Sequence, residues 1–269
     1  FFATCRISSY AKKKNKMKIL AVLAATLIGS ANAFVPAGLG RRSTHIAETQ
    51  ADLKNLAKDS NPLLGFYDPL DLANAAFWGQ SQEFTVGWLR QAEIKHGRVA
   101  MAAFVGYIVQ SGVHWPWPMT FSGMNFPSTD LSPPEQWDAL PFGSKVQIIL
   151  FVGFLEFYSE LTPGEGGVGG QVHYTKGGQP GKFPTFDAVP HYTPYNLYDP
   201  FNIAKKMPEE KKEKRLMMEI NNGRLAMIGI FGFLCAQTIP GSVPLLTNIV
   251  KPYAGDIMAP FAGDFSLLP

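Results

Sequence analysis

Two nearly identical stretches, EIKHGRVAM at residues 93–101 and EINNGRLAM at residues 219–227, decide how this chain folds. They are identical at six of nine positions. A weaker echo precedes each copy, because the tripeptide YDP occurs at residues 67–69 and again at residues 198–200. Self-similarity of this kind indicates an internally duplicated architecture, so both copies are expected to form the same element.

Each copy lies in a segment that is a candidate for crossing a bilayer. The candidate helices cover residues 84–113, 144–161 and 209–239, and each holds an uninterrupted apolar stretch of about 10 to 12 residues. A membrane helix needs roughly 20 apolar residues, so length alone would favour buried core helices. Glycine and alanine crowd the apolar part of the first and third segments, however, as the contact faces of membrane helices prefer. We therefore predict an all-α membrane protein with three transmembrane helices.

One candidate helix separates the two copies, and this fixes how they are related. If all three segments span, the first and third cross the membrane in the same direction. Such a duplicated pair is related by a local two-fold axis along the membrane normal. The sequence therefore predicts that the first and third helices cross as a pseudo-two-fold pair.

The repeated glutamate and arginine residues need partners outside their own helix. Within each copy they are five residues apart, which is about 140° around a helix, so they do not face each other. An ionisable side chain inside a membrane costs about 3 kcal/mol or more unless it is paired. In a two-fold pair Glu93 can meet Arg224, and Glu219 can meet Arg98. The sequence predicts these two reciprocal ion pairs.

Each copy also places two candidate metal ligands on one helix face. Glu93 and His96 are three residues apart, as are Glu219 and Asn222, and this spacing brings them to the same side. A neutral imidazole nitrogen, an amide oxygen and a carboxylate whose charge an arginine offsets are suitable axial ligands for magnesium in a macrocycle. The glycine beside each pair leaves room for a flat ring.

The segments between the candidate helices are expected to be loops. Residues 114–134 and 163–194 are rich in proline and glycine, which favours turns and extended chain. The stretch GEGGVG at residues 164–169 matches a dinucleotide-binding fingerprint. That fingerprint requires a strand before it and a helix after it, and neither is expected here. We predict no enzyme and no catalytic residues.

The first 47 residues are expected to be a targeting segment, removed from a folded domain that covers residues 48–269. Met17 and Lys18, the apolar residues 19–28 and the tripeptide ANA at 31–33 follow one another as the parts of a signal peptide do. The acid-free stretch after it has transit-peptide composition. Two addresses in series imply two membrane crossings, and a plain secreted protein is the alternative.

The basic balance of the chain belongs to this targeting segment. All charged residues before Glu48 are basic, and there are eight: Arg6, Lys12, Lys13, Lys14, Lys16, Lys18, Arg41 and Arg42. Without them, 16 of the 24 Lys and Arg residues stand against 21 Asp and Glu residues, so the remainder carries about −5. Nucleic acid is therefore not an expected partner. With Cys5 also set aside, Cys235 stands alone and forms no disulfide.

The duplicated motif, the YDP segments and the glycine-rich loop together resemble the light-harvesting chlorophyll-binding proteins. WLRQAE at residues 88–93, residues 148–156 and FDAVP at 186–190 resemble the chlorophyll a/c-binding branch of red-lineage algae, which includes fucoxanthin and peridinin proteins. The resemblance covers roughly residues 60–250.

The resemblance implies a set of chlorophyll ligands. Ligands of chlorophyll magnesium would be Glu93, His96, Glu219 and Asn222, with Arg98 and Arg224 as charge partners. Glu156 is a further candidate, with a solvated helix end as the alternative. Gln147, on the opposite helix face from Glu156, and Gln237, one residue beyond the plant position, are also candidates. The family's C-terminal histidine ligand has no counterpart, and the histidines at 45, 114, 173 and 191 are expected to be ordinary loop residues.

By the same resemblance the cofactors are chlorophyll a, chlorophyll c and two carotenoids of fucoxanthin or peridinin type, near Met101 and Met227. The implied protein is a multi-pass light-harvesting antenna of the plastid thylakoid membrane. Its partners would be thylakoid lipids, other antenna subunits and a photosystem core. The resemblance of the motifs favours photosystem I. Two alternatives stay open. One is a photoprotective relative that dissipates energy, and the other is a small ion or proton transporter that uses the intramembrane Glu and Arg residues.

Overall fold

The computed structural model describes residues 49–161, 172–184, 199, 201, 203 and 206–262. The predicted targeting segment and the stretches GEGGVG and FDAVP lie outside these residues. Within them the chain is helical and contains no strand. The all-α fold class predicted from the sequence is confirmed.

Five α-helices occur in the described part of the chain. They are α1 (Gln50–Ser60), α2 (Gln82–Gln110), α3 (Pro133–Asp138), α4 (Phe142–Glu160) and α5 (Glu209–Thr238). The three long helices, α2, α4 and α5, occupy the three candidate segments, and no end differs from the expected one by more than three residues.

The two short helices were not expected, and each begins with a capping box. Thr49 accepts from the backbone N–H of Asp52, whose carboxylate accepts in return from the backbone N–H of Thr49 at 3.0 Å. Before α3, Glu135 Oε2 accepts from the backbone N–H and the hydroxyl of Ser132 at 2.7 and 2.8 Å. These hydrogen bonds hold the pKa of Glu135 below its ordinary value.

Helix α4 differs from the other long helices in its composition. By length and composition it is the one helix in the described chain that could cross a membrane. Only 11% of its 18-residue apolar stretch is buried, whereas the core helix of a soluble protein would be mostly buried. One such helix does not by itself establish a membrane protein. In α2 and α5 the repeat introduces charged and amide side chains, which lower their hydropathy.

The chain divides into two compact units, which we name for their contents. Among described residues, the aromatic unit consists of residues 100–150 and 225–262, and the ion-pair unit of residues 49–99 and 151–224. In the aromatic unit the ring of Phe233 stacks on Phe104 and on Tyr107, with centroids 5.1 and 4.8 Å apart. Phe233 belongs to a buried core with Ala236 and Val250.

A chain of hydrogen bonds in the aromatic unit ties the segment after α5 to α3. The backbone N–H of Tyr253 donates to the carbonyl oxygen of Gln237 at 2.9 Å. Its hydroxyl donates to Asp138 Oδ2 at 2.7 Å. Burial and this bond to a carboxylate raise the pKa of Tyr253 to about 12. The phenol therefore stays a donor across the physiological pH range.

In the ion-pair unit, residues 172–184 pack closely against α2. A Cβ on Gly87 would lie 2.4 Å from the carbonyl oxygen of Tyr174, so only glycine allows this approach. Further along, the backbone N–H of Gly181 donates to Gln91 Oε1 at 2.6 Å. The segment is thus held to one face of α2 at two points.

The aspartates of the two YDP tripeptides make similar contacts. The Asp68 carboxylate accepts from the backbone N–H groups of Leu72 and Ala73 at 3.0 and 2.8 Å. The Asp199 carboxylate accepts from the backbone N–H of Ile203 at 2.8 Å. The other two residues of the second tripeptide lie outside the described residues. The weaker echo in the sequence therefore corresponds to a shared local hydrogen-bond pattern.

Candidate functional site

The two glycines of the repeat are in direct contact where α2 and α5 meet in the ion-pair unit. A Cβ on Gly97 would lie 3.1 Å from the Cα of Gly223, and a Cβ on Gly223 would lie 2.9 Å from the Cα of Gly97. Real Cβ atoms essentially never approach another atom more closely than 3.0 Å. The two copies therefore touch through equivalent backbone atoms, so the expectation that these glycines leave room for a flat ring is wrong: the space beside each is taken by the other helix.

The repeated charges form the two pairs that the sequence analysis expects. Arg98 Nε donates to Glu219 Oε1 at 2.5 Å. Nε and Nη2 of Arg224 each lie 2.7 Å from Glu93 Oε1. The two glutamate side chains are only 26% and 29% exposed. Each copy of the motif thus neutralises the carboxylate of the other copy.

Glu93 has a second cationic partner that the sequence analysis missed. Arg90, one helical turn earlier, is buried and contacts Glu93 Oε2. The position three residues before Glu219 is Leu216. Both oxygens of Glu93 therefore have a guanidinium partner, whereas Glu219 Oε2 has none among the described residues. The i, i+3 spacing of Arg90 and Glu93 was the signal available in the sequence.

Arg98 is also held by the segment that covers α2. Its Nη1 donates to the carbonyl oxygen of Gly181 at 2.7 Å. The centre of its guanidinium lies 4.5 Å from the centroid of the Phe183 ring, a cation–π distance. Arg98 is therefore fixed by a carboxylate, a carbonyl and a ring.

The imidazole of His96 has one nitrogen committed and one open. Nδ1 lies 2.7 Å from the carbonyl oxygen of Ala92. A carbonyl can only accept, so Nδ1 carries a proton, and in the neutral ring Nε2 then carries the lone pair. Nε2 has no partner in the described chain, and the residue is exposed. His96 therefore has Nε2 open, while Nδ1 is held by its own helix.

Asn222, at the equivalent position of the second copy, offers a different donor. Its side chain is partly buried and has no hydrogen bond to any described residue. The amide oxygen is therefore available to a ligand. Glu219, three residues earlier, keeps its Oε2 open as noted above.

Glu156 on α4 has a partner that the sequence analysis did not foresee. Its Oε2 contacts the ammonium group of Lys95 on α2, and its side chain is 51% exposed. The neighbouring candidate on α4, Gln147, is exposed and has no partner among described residues. Glu156 is thus half-exposed and paired with a cation of α2.

Gln237 differs from the other candidates because it has no open face. Its side chain is fully buried, and Oε1 accepts from the hydroxyl of Tyr107 at 2.7 Å. Its Nε2 is buried without a partner among the described residues. An axial ligand needs an oxygen that faces the space where the ring would lie. The structure therefore does not group Gln237 with the other candidates.

The loop histidines within the described residues make ordinary polar contacts. His114 Nε2 lies 3.1 Å from Gln136 Oε1. His173 Nε2 lies 3.0 Å from Glu160 Oε2, and its Nδ1 lies 2.6 Å from Thr175 Oγ1. The remaining two, at positions 45 and 191, lie outside the described residues.

Comparison with known families decides what kind of protein carries this arrangement. The family model described as "Chlorophyll A-B binding protein" matches residues 50–238, which contain both copies of the motif and the whole of the three long helices. The chain belongs to this family. The family identification made from the repeat is confirmed, and its members are pigment-binding proteins of light harvesting, not enzymes.

Individual relatives narrow the branch of the chlorophyll-binding family. A chloroplastic fucoxanthin-chlorophyll a-c binding protein of Trieres chinensis is 33% identical over 237 residues, 83% of this chain and 97% of the relative. Fucoxanthin-chlorophyll a-c binding protein C of Phaeodactylum tricornutum is 34% identical over 218 residues, 80% of this chain and 93% of that protein. Protein D of Macrocystis pyrifera, with the same description, is 31% identical over 190 residues, 70% and 88% of the two chains.

Proposed function

We propose that this protein is a light-harvesting antenna that binds chlorophyll a, chlorophyll c and a carotenoid of fucoxanthin type in the chloroplast. The observation that carries the proposal is the reciprocal pairing of Glu93 with Arg224 and of Glu219 with Arg98, which leaves open donor atoms beside the neutralised charges. The family and the named relatives agree with it. Bound chlorophyll supplies the absorption of light and the transfer of excitation.

The repeat supplies nitrogen and oxygen atoms that would hold a chlorophyll magnesium. The best prepared are Nε2 of His96, the amide oxygen of Asn222 and Oε2 of Glu219, because each is open while its surroundings are fixed or neutralised. Glu93 can be a ligand only if Arg90 or Arg224 moves away from the carboxylate oxygen that it contacts. Glu156 and Gln147 are exposed and are proposed as further ligands on α4.

We further propose that α2, α4 and α5 all span the thylakoid membrane, with α2 and α5 as a pseudo-two-fold pair. The apolar, exposed surface of α4 supports a membrane location. The equivalent glycine contacts and reciprocal ion pairs support the two-fold relation. In addition, an ionisable side chain inside a membrane helix requires a partner, and these side chains have one. Multi-pass topology and removal of residues 1–47 belong to the same proposal.

The acceptor of excitation energy is proposed to be a photosystem core, with other antenna subunits and thylakoid lipids as neighbours. For photosystem I in particular, the support is the wording of the sequence motifs. Co-migration of the protein with photosystem I, and not photosystem II, in mildly solubilised thylakoids is the expected result. Co-migration with photosystem II alone would contradict this part of the proposal.

Pigment counting after reconstitution tests the ligand assignment. The chain is refolded with chlorophyll a, chlorophyll c and fucoxanthin, and chlorophylls per protein are measured. His96→Leu and Asn222→Leu are each expected to lose about one chlorophyll and to keep the helical content. Asn221→Leu is the matched control, since it makes the same change one position away, and it is expected to keep the full complement.

The outcome also separates the alternatives. Full pigment retention by both His96→Leu and Asn222→Leu would refute the ligand assignment. A colourless protein purified from thylakoids would favour a transporter. A short fluorescence lifetime of the isolated pigmented protein would instead indicate the energy-dissipating relative.

A further inference from the structure

Glu156 lies on α4 among exposed apolar side chains. Val152, one turn earlier on the same helix face, is 51% exposed, and the adjacent Phe157 is 65% exposed. Glu156 itself is 51% exposed, and only its Oε2 has a partner, Lys95. Its Oε1 has no partner in the described chain. Glu156 therefore combines a neutralised charge with one open oxygen, as Glu219 does.

A second carboxylate could compete for the same lysine. Glu160 Oε1 lies 3.8 Å from Lys95 Nζ, at the outer limit of an ion pair. The other oxygen of Glu160 accepts from the hydroxyl of Tyr174 at 2.9 Å and lies 3.0 Å from His173 Nε2. Burial and this carboxylate raise the pKa of Tyr174, so its hydroxyl remains a donor. Glu160 is thus held by Tyr174 and His173, and Glu156 is the principal partner of Lys95.

The repeat shows that this lysine is specific to one copy. Lys95 occupies the third position of EIKHGRVAM, and the same position of EINNGRLAM is Asn221. The described chain has one helix, α4, between the two copies. A cation is present in the copy that contacts the α4 carboxylate and is replaced by a neutral amide in the other copy. A lysine is thus present only in the copy that has a carboxylate of α4 to pair with.

We infer that Lys95 is the charge partner that holds the Glu156 carboxylate in place as a magnesium ligand on α4. The inference rests on the proposed function, in which Glu156 ligates a chlorophyll. A charge on an apolar membrane surface is unfavourable without a counter-charge. Lys95 supplies that counter-charge from a neighbouring helix, as Arg98 does for Glu219. The proposed ligand carboxylates of the three long helices, Glu93, Glu156 and Glu219, then each have a cationic partner on a neighbouring helix.

Four variants, reconstituted with the same pigments, test the inference. Lys95→Met is expected to lose the chlorophyll that Glu156→Leu loses, about one per protein, identified by the same missing band in the absorption difference spectrum. Lys95→Arg keeps the charge and is expected to retain that chlorophyll. The double variant Lys95→Met/Glu156→Gln is expected to regain it, because the amide keeps an oxygen donor and no orphan charge remains.

The possible failures are distinguishable. If Glu156→Leu keeps every chlorophyll, the ligand proposal for Glu156 is wrong, and the inference falls with it. If Glu156→Leu loses one chlorophyll and Lys95→Met loses none, only the inference is overturned, and the ion pair is structural. If Lys95→Met fails to fold, the double variant decides: recovery of folding and pigment supports the inference, and no recovery overturns it.

Discussion

Replacement of Gly223 by alanine tests the helix contact on which the whole site depends. The added Cβ would lie 2.9 Å from the Cα of Gly97, and ordinary van der Waals contact begins at 3.4 Å. The helices must therefore separate by about 0.5 Å at this point. The obstructing atom belongs to the backbone, so no change of rotamer can relieve the clash. Overpacking of this kind typically costs about 1–3 kcal/mol.

Gly232→Ala, on the same helix, is the matched control. A Cβ there meets nothing within 4 Å. Both substitutions gain the same helix propensity, about 0.5–1 kcal/mol, so this gain cancels in the comparison. The expected difference is the steric cost alone, with Gly223→Ala less stable by about 1–3 kcal/mol. For a chain of this size that is roughly 2–12 °C in midpoint temperature.

The assay is thermal unfolding of the reconstituted protein, followed by circular dichroism and by pigment absorbance. Gly223→Ala is expected to unfold at a lower temperature and to bind less chlorophyll, because the separation also stretches both reciprocal ion pairs. Equal midpoints and equal pigment counts for the two variants would refute the tight contact, and with it the reason for glycine in both copies.

Three further outcomes follow from other contacts. Arg98→Leu is expected to lower pigment yield and thermal stability more than Arg224→Leu, which leaves its carboxylate with a second guanidinium; equal losses would contradict that second partner. Gln237→Leu is expected to lower thermal stability but keep all chlorophylls, and a pigment count lower by one would make Gln237 a ligand. The lowered pKa of Glu135 means that its cap contributes stability above the ordinary carboxyl pKa and loses it as pH falls through the lowered value. Glu135→Gln should reduce the fall in midpoint temperature between neutral pH and about pH 3.

The reciprocal ion pairs could be derived from the sequence because both members recur in each copy. The i, i+5 spacing excludes pairing within a helix, and the duplication supplies the only equivalent partners. Arg90 and Lys95 each occur in one copy only, so reasoning from the repeat did not reach them. The contact of Lys95 with Glu156 also requires the distance between α2 and α4, which no local pattern contains.

Gln237 shows what the sequence leaves open about a candidate ligand. One residue is about 100° of rotation in an α-helix. By the family resemblance Gln237 lies one residue beyond the plant position, and the direction of its side chain after that rotation depends on packing that the sequence does not contain. The structure directs it inward, to the hydroxyl of Tyr107.

The short helix α3 was missed for a different reason. Ser132 and Glu135 have the spacing of a capping box, but Pro133 and Pro134 between them weighed towards a loop. Proline is tolerated at the first turn, where its missing N–H has no partner to lose. The long helices were predictable because each contains an uninterrupted apolar stretch of about 10 to 12 residues, which is too long and too apolar for an exposed loop.

The hydrogen bond between His96 and the carbonyl of Ala92 bears on the optical spectrum. It fixes the plane of the imidazole relative to the helix axis through one backbone contact of 2.7 Å. Electronic coupling between pigments depends on the mutual orientation of their transition dipoles as well as on distance. A pigment held by a fixed ring therefore samples a narrower range of orientations than one held by the untethered amide of Asn222. If His96 and Asn222 are ligands as proposed, we expect the pigment on His96 to contribute the narrower absorption band, with less inhomogeneous broadening at low temperature.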